Sequence, residues 1–250
     1  MPSRALIAAT LLLLLAPAPT RAQAPAPTPV AAARLLVARY HEDAAGLDRA
    51  RDLLEAALQG DRQIETMVML SYVHFLWGDV RATTPEDKLR AYERGREIGK
   101  RAVELAPQSH DAHLWYAINT GRWGQAKGVL RSLFLLPTVR EELDIMFALN
   151  PRSVRAHSLA GNIFLEVPRL VGGDRAKAEE HFKKALEIDP RFTVARVDLA
   201  RVYIAEARWA EARQALERVV NERAPTIVAD WTVKDLPRAR KLLESIRDQK

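Results

Sequence analysis

The sequence predicts an all-α protein made of antiparallel helix pairs stacked into a superhelical array, and three observations carry that expectation. Small and aromatic residues return at fixed distances from Pro107, Pro151 and Pro190. The stretches between these prolines are apolar at helical spacing. The composition, 48% hydrophobic over 250 residues with 11 Gly and 14 Pro, gives enough apolar side chain for a packed core and too little Gly and Pro for a low-complexity chain. Cysteine is absent, which excludes disulfides, thiolate metal sites, cysteine nucleophiles and a lipid-attachment cysteine. The formal charge of +6 is spread along the chain without a dense basic block, so a dedicated nucleic-acid binder is not expected.

Residues 1–22 read as a secretory signal peptide: Arg4, an apolar run from Ala5 to Ala16, then small residues before a cut after Ala22. The run is shorter than the roughly 18 residues a membrane-spanning helix needs. Removing Arg4 and Arg21 takes the charge from +6 to +4. Residues 23–30 follow as a proline-rich tether, because Pro25, Pro27 and Pro29 favour an extended polyproline conformation. Export implies a periplasmic or secreted location, and residues 31–250 then form a single repeat domain.

The clearest repeat places Ala178, Phe182 and Ala185 on one helical stripe that ends at Pro190. Ala200 stands ten residues after that proline and Tyr203 thirteen after it, and a second helix carries Ala212, Leu216 and Val219 before Pro225. Pro151 is followed at the same distances by Gly161 and Phe164, and Pro107 by Ala117 at ten. The helix before Pro107 carries Gly95, Gly99 and Ala102; the one before Pro151 carries Val139, Leu143 and Met146. A weaker first unit has Ala50, Leu54 and Ala57, with Gly60 as its stop. One pair of helices cannot bury its apolar stripe alone, so pairs must stack. These residues resemble the tetratricopeptide repeat (TPR), which implies a right-handed superhelical solenoid. Beyond Trp231, Leu242, Leu243 and Ile246 mark a C-terminal capping helix from about Asp235.

The frame is broken in three places. Ala200 and Ala212 are 12 apart, but Gly161 to Ala178 is 17, Ala117 to Val139 is 22 and Tyr72 to Gly95 is 23. The excesses of 5, 10 and 11 residues all fall between the two helices of a pair, on one edge of the array, and insertions gathered on one face often mark a binding surface. The first runs from Trp77 to Thr84, with Thr84 as a helix cap before Pro85. The second holds Arg122, Trp123 and the apolar run Val129 to Pro137, including Leu133 and Phe134. That run reads first as an extra helix packed in the core and second as a docking patch for a partner or another copy of the chain. The third, Val167 to Asp174 with Leu170, reads as a loop closed by Asp174 as a cap.

The signal-peptide pattern, Tyr92-Glu93-Arg94-Gly95-Arg96, Trp115-Tyr116-Ala117-Ile118-Asn119 and Gly172-Gly173-Asp174 together resemble the T-component proteins of tripartite ATP-independent periplasmic (TRAP) transporters. That resemblance implies an all-helical accessory protein, able to form homo-oligomers, that works beside a periplasmic substrate-binding protein. Lipid-anchored members carry a cysteine that this chain lacks. The eukaryotic microtubule-dynamics regulators share similar paired helices, and the signal peptide sets that resemblance lower.

No phosphate-cradling, dinucleotide, serine-hydrolase or zinc-protease signature is present, so neither catalysis nor a cofactor is expected. His110 and His113 could offer two metal ligands, but a third is not evident. Glu141-Glu142 and Glu179-Glu180 read as solvated helix faces, and Gly95 with Gly99 as close packing of soluble helices. The groove-facing offsets from each proline give Asp111, Leu114 and Ile118; Arg155, Ser158 and Asn162; and Val194, Val197 and Arg201. Arg155 and Asn162 lie two turns apart on one face, where they could grip a carboxylate or an extended backbone. They resemble the carboxylate clamp of chaperone-binding repeat proteins only in part, since the clamp's lysines are missing. The function expected is an exported, non-catalytic scaffold for protein partners, a transporter accessory before a general envelope-assembly or peptide-binding scaffold, with an enzyme using a groove carboxylate pair as a third reading.

Overall fold

The structure, a computed structural model, describes residues 27–60 and 63–249. The signal-peptide reading and residues 23–26 of the tether lie outside the described residues. The described chain is helical, with no strand: α1 (Pro29–Ala38), α2 (Gly46–Gly60), α3 (Ile64–Val80), α4 (Pro85–Leu105), α5 (His110–Lys127), α6 (Val129–Leu149), α7 (Val154–Glu166), α8 (Arg175–Ile188), α9 (Thr193–Ala205), α10 (Trp209–Val220), α11 (Val228–Asp230) and α12 (Leu236–Ser245). Consecutive helices pack as the antiparallel pairs α1/α2, α3/α4, α5/α6, α7/α8 and α9/α10. The expected all-α TPR-like solenoid is the fold observed.

The termini of these helices follow from local chemistry. Thr28 accepts from the Ala31 amide at 3.2 Å with Pro29 in the first turn, so α1 begins inside the stretch expected to be tether. Thr84 accepts from Asp87 N at 3.1 Å and Asp174 from the amides of Ala176 and Lys177 at 3.0 and 3.2 Å, as the sequence indicates. The terminating prolines have a second role. The residue six after each one returns a hydrogen bond to its carbonyl: His113 Nε2 to Pro107 O at 2.9 Å, His157 Nε2 to Pro151 O at 3.1 Å, and Arg196 Nη2 to Pro190 O at 2.5 Å. Each bond occupies a carbonyl in the bend between two repeats, which fixes the angle at which the next helix leaves.

The two long insertions are not loops or an added helix. They lengthen both helices of their pairs: α3 and α4 have 17 and 21 residues and α5 and α6 have 18 and 21, against 12 to 14 in α7 through α10. The α5/α6 turn is made by Gly128 alone, at φ 109°, a conformation costly for any residue with a Cβ. The apolar run Val129–Pro137 is therefore the start of α6. The expectation that it packs as a core helix is corrected, because only Leu135 of that run is fully buried while Val129, Leu130 and Phe134 are exposed.

The core lies between the helix layers in three clusters that follow one another along the array. Val30, Leu47, Leu54, Leu70 and Ile98 anchor its N-terminal part; Leu114, Val139, Met146 and Ala160 the middle; Phe182, Val197, Leu216 and Ile246 the C-terminal part. Small residues allow close approach. A Cβ on Gly99 would lie 2.9 Å from Tyr116 Cα, so α4 and α5 meet almost backbone to backbone. The capping helix is present as α12, with Ile246 buried and Leu242 and Leu243 packed on the C-terminal core.

The segment before α12 does something the sequence does not announce. Residues Val228–Asp230 and the wide π turn Trp231–Asp235 lie across the concave side as a strap that touches both ends of the array. Ala229 enters the N-terminal core, Tyr40 OH donates to Asp230 at 2.6 Å, and Lys234 Nζ reaches Asp79 at 2.9 Å. From the other end Thr193 Oγ1 donates to Asp235 at 2.7 Å and Arg238 pairs with Asp198 at 3.0 Å.

Candidate binding site on the concave face

The first helices of successive pairs, α1, α3, α5 and α7, line a concave cavity of about 290 Å³. Its wall is apolar where Val37, Val68, Leu114 and Trp115 meet, and polar at Arg34, Glu65, Asp111 and Arg155. Tyr72 and Trp115 stack with ring centroids 4.1 Å apart, and the Arg155 guanidinium lies over both, 5.7 and 5.2 Å from their centroids. Burial pushes the Tyr72 phenol up to about 12, with the Asp230 carboxylate adding to the rise and Arg155 opposing it. Arg34 is joined to Glu65 at 2.8 Å on the exposed rim. The arrangement offers an apolar bed with a cation above it, suited to an extended chain that carries a carboxylate.

The groove residues named from the sequence separate into three fates. Arg155 is at the cavity, as expected. Asn162 and Arg201 are tied into the protein: Asn162 Nδ2 donates to Asp198 and to Ser158 O, both at 3.0 Å, and Arg201 pairs with Asp198 at 3.3 Å and with Glu166. They hold Asp198, which also anchors the strap through Arg238. Ser158 and Val197 are corrected: Ser158 is buried on α7, with its carbonyl taken by Asn162, and Val197 is completely buried because the α9 stripe that the proline ruler assigns to the groove faces the C-terminal core.

On the inserted edge, Arg122 bridges to Asp79 at 3.2 Å, and Trp123 lies among the cations of Arg96, Lys127 and Arg131 at 5.1, 5.6 and 5.7 Å. Leu133 is half-buried, whereas Phe134 and Leu170 are open to solvent. The two halves of the candidate set thus sit apart, on the groove and on the edge.

Sequence reasoning missed the buried polar groups. Asp79 is the plainest: burial pushes its carboxyl up, but Arg122, Lys234 and the Tyr92 hydroxyl reverse this and hold it below the ordinary range. Asn119, completely buried, donates to Ser71 O, Ser71 Oγ and Trp115 O at 3.0, 3.1 and 3.0 Å, joining α3 to α5. Glu142 is corrected from a solvated residue to a buried one that hydrogen-bonds His113 Nδ1. Because the other nitrogen of His113 faces Pro107 O, that ring is fully engaged on both sides, and His110 contacts Asp111 instead at 3.1 Å. Among the described residues no group of three His, Asp or Glu side chains could hold a metal ion. Glu179 and Glu180 pair with Lys183 and Lys184, each at 2.6 Å.

Stacked helix pairs with a lined concave groove define a tetratricopeptide repeat protein, and a Tetratricopeptide repeat model matches residues 172–230. The chain belongs to the Regulator of microtubule dynamics protein 1-3 family, whose model matches residues 31–171, and this corrects the lower rank that the signal-peptide pattern gives that resemblance. Regulator of microtubule dynamics protein 3 of Bos taurus is 26% identical over 178 residues, 60% of this chain and 38% of that protein. Regulator of microtubule dynamics protein 1 of Pongo abelii is 29% identical over 127 residues, 45% of this chain and 40% of that protein. The chain thus spans about two fifths of the length of these relatives. Among solved structures, a thermophilic TPR protein of Thermus thermophilus aligns with a TM-score of 0.62 at 21% identity, covering 85% of this chain and all of that one. Pseudomonas aeruginosa pilF aligns at 0.52 and 15%, covering 88% and 90%. These two likenesses concern the fold.

Proposed function

We propose that the chain is an exported, non-catalytic scaffold that binds an extended segment of a partner protein in the concave cavity, with Arg155 taking a carboxylate of that segment. The observation that carries this reading is the Arg155 guanidinium, held over Tyr72 and Trp115 at the cavity by aromatic faces. One of its N–H groups reaches the Tyr72 hydroxyl, and of the five donors of a guanidinium the others remain to meet a ligand. Export is the part of the proposal that rests on residues 1–22, and it favours an envelope partner. In its finer form that partner is the substrate-binding protein of a tripartite transporter; in its broader form it is any extended envelope peptide. The family match favours a second reading, microtubule regulation, which is the activity in the relatives' name.

One experiment separates these readings: affinity capture from envelope extract with the chain from Gln23 onward and with its Arg155→Glu variant, beside co-sedimentation with tubulin polymer. A solute-binding protein recovered by the parent and lost by the variant supports the transporter role. Peptides alone, lost in the same way, support the general scaffold. Equal recovery by both contradicts the cavity as the site, and co-sedimentation with tubulin contradicts the envelope assignment.

A further inference from the structure

The edge formed by the α5/α6 turn and the loop between α7 and α8 carries apolar side chains that no described residue covers. Leu130 is 86% exposed and Phe134 73% on α6, and Leu170 is 100% exposed in the loop. Arg140 Nη2 donates to the carbonyls of Val171 and Gly172, both at 3.4 Å, which fixes that loop beside the middle of α6. At 1.5 Å per residue the stretch from Leu130 to Arg140 carries the hairpin tip about 15 Å past the loop. The edge is therefore a projection with Leu130 and Phe134 near its end and Leu170 behind it.

The hairpin itself carries charge of one sign, although Glu166 and Asp174 flank the neighbouring loop. Between Asp111 and Glu141 the chain contains Arg122, Lys127, Arg131 and Arg140 and no carboxylate. Arg122 is neutralised by Asp79, but Lys127 and Arg131 lean on the Trp123 ring at 5.6 and 5.7 Å, and Arg131 also on Phe134 at 5.7 Å. Arg169 adjoins Leu170 in the loop. Apolar side chains ringed by cations are what an interface of acyl chains and anionic headgroups receives.

We propose that this edge docks tip first on the surface of a membrane rich in anionic lipid, with Leu130 and Phe134 entering the acyl boundary, Leu170 facing the headgroup layer behind them, and Lys127, Arg131 and Arg169 meeting headgroup phosphates. No helix among the described residues is long and apolar enough to cross a membrane, so the contact is peripheral. A second copy of the chain is the poorer occupant, because a two-fold interface would set Lys127 and Arg131 against the same cations of the other copy. A partner protein would have to supply a recess for a projecting tip and carboxylates for its cations, whereas lipid deforms around both. The proposal concerns the edge alone and does not rest on the cavity reading.

The test is flotation of the chain from Gln23 onward, which keeps every described residue, with phosphatidylcholine vesicles and with vesicles containing about one third phosphatidylglycerol. The parent is expected to float with the anionic vesicles and to be released by salt. Leu130→Ser, Phe134→Ser and Leu170→Ser together should lower partitioning on the order of 100-fold. Lys127→Glu with Arg131→Glu should lower it by about 10-fold or more. Since all these side chains are exposed or surface-facing, unchanged helical circular dichroism and thermal midpoints accompany the loss. Arg155→Glu, in the cavity, should float like the parent. Failure of the parent to float, flotation untouched by the edge variants, or a dimer that Phe134→Ser dissolves would each overturn the proposal.

Discussion

Asp235 gives the sharpest prediction about how the strap is held. Its carboxyl is 3% exposed in the π turn, and burial pushes it up to about 6, against an ordinary 3.8. The Thr193 hydroxyl and Lys234 oppose that rise, while Asp230 and Asp198 add to it. Because the folded value is raised, the folded state holds this proton more tightly than the unfolded one. The contribution to stability is complete below about pH 4 and is lost as pH rises through about 6. At 1.4 kcal/mol per tenfold, the gap between 3.8 and about 6 corresponds to about 3 kcal/mol lost by neutral pH. Asp235→Asn keeps an acceptor for Thr193 Oγ1 and removes the charge, so at pH 7 it should be more stable than the parent by up to about 3 kcal/mol. For a domain of this size that is about 6–12 °C in thermal midpoint. The readout is the difference between variant and parent across pH, which cancels titrations common to both. It should be near zero at pH 4 and grow to its full value by pH 7. A variant less stable than the parent at pH 7, or a difference that does not change with pH, would refute the assignment of a buried carboxylate that prefers its neutral form.

Three further predictions concern the array itself. His157 and His181 face each other through their Nδ1 atoms at 3.0 Å, and burial lowers both, so protonation favours the unfolded chain. Their contribution is complete above about pH 6.5 and falls as pH drops below it, and His181→Gln should flatten that fall in denaturant midpoints measured from pH 7.5 to 5. Gly99→Ala gains helix propensity of about 1 kcal/mol but forces a Cβ to 2.9 Å from Tyr116 Cα, and the overpacking of about 1–3 kcal/mol or more should win; a stabilised variant in urea unfolding would count against the close α4/α5 contact. Ending the chain after Thr226 removes Ala229 and Ile246 from the core and Lys234 from Asp79. The truncated protein should lose solubility and thermal midpoint, and retention of both would contradict the strap and the capping helix.

Much of the fold was legible because local chemistry encodes it. The prolines fix the repeat frame, Thr84 and Asp174 announce the starts of α4 and α8, and Leu242, Leu243 and Ile246 mark the cap. The insertions were misread for a physical reason. α3 and α5 are buried on several faces, with Leu70, Val73 and Leu76 on one and Leu114, Trp115 and Ala117 on the other, so apolar periodicity gives no clear boundary. Added residues at their ends then look like separate insertions. The run Val129–Pro137 reads as core on hydrophobicity alone, and only the lengthened hairpin reveals that Leu130 and Phe134 project. The site was half legible: Arg155 follows from the proline offset, but its stacking on Tyr72 and Trp115 depends on α3, α5 and α7 meeting. The strap left no local trace, since Tyr40 and Asp230 are 190 residues apart and Asp79 and Lys234 are 155 apart. Nothing in a short window couples such pairs.

The central claim, that the concave cavity receives a protein segment through Arg155, is tested most directly by site-specific photo-crosslinking in cells. A benzophenone side chain replaces Glu65 at the cavity rim, and in a control it replaces Lys100, exposed on α4. The cavity reading predicts a protein adduct from position 65, none from position 100, and loss of the adduct when Arg155→Glu is added. No adduct from position 65, or one that persists without Arg155, would contradict it.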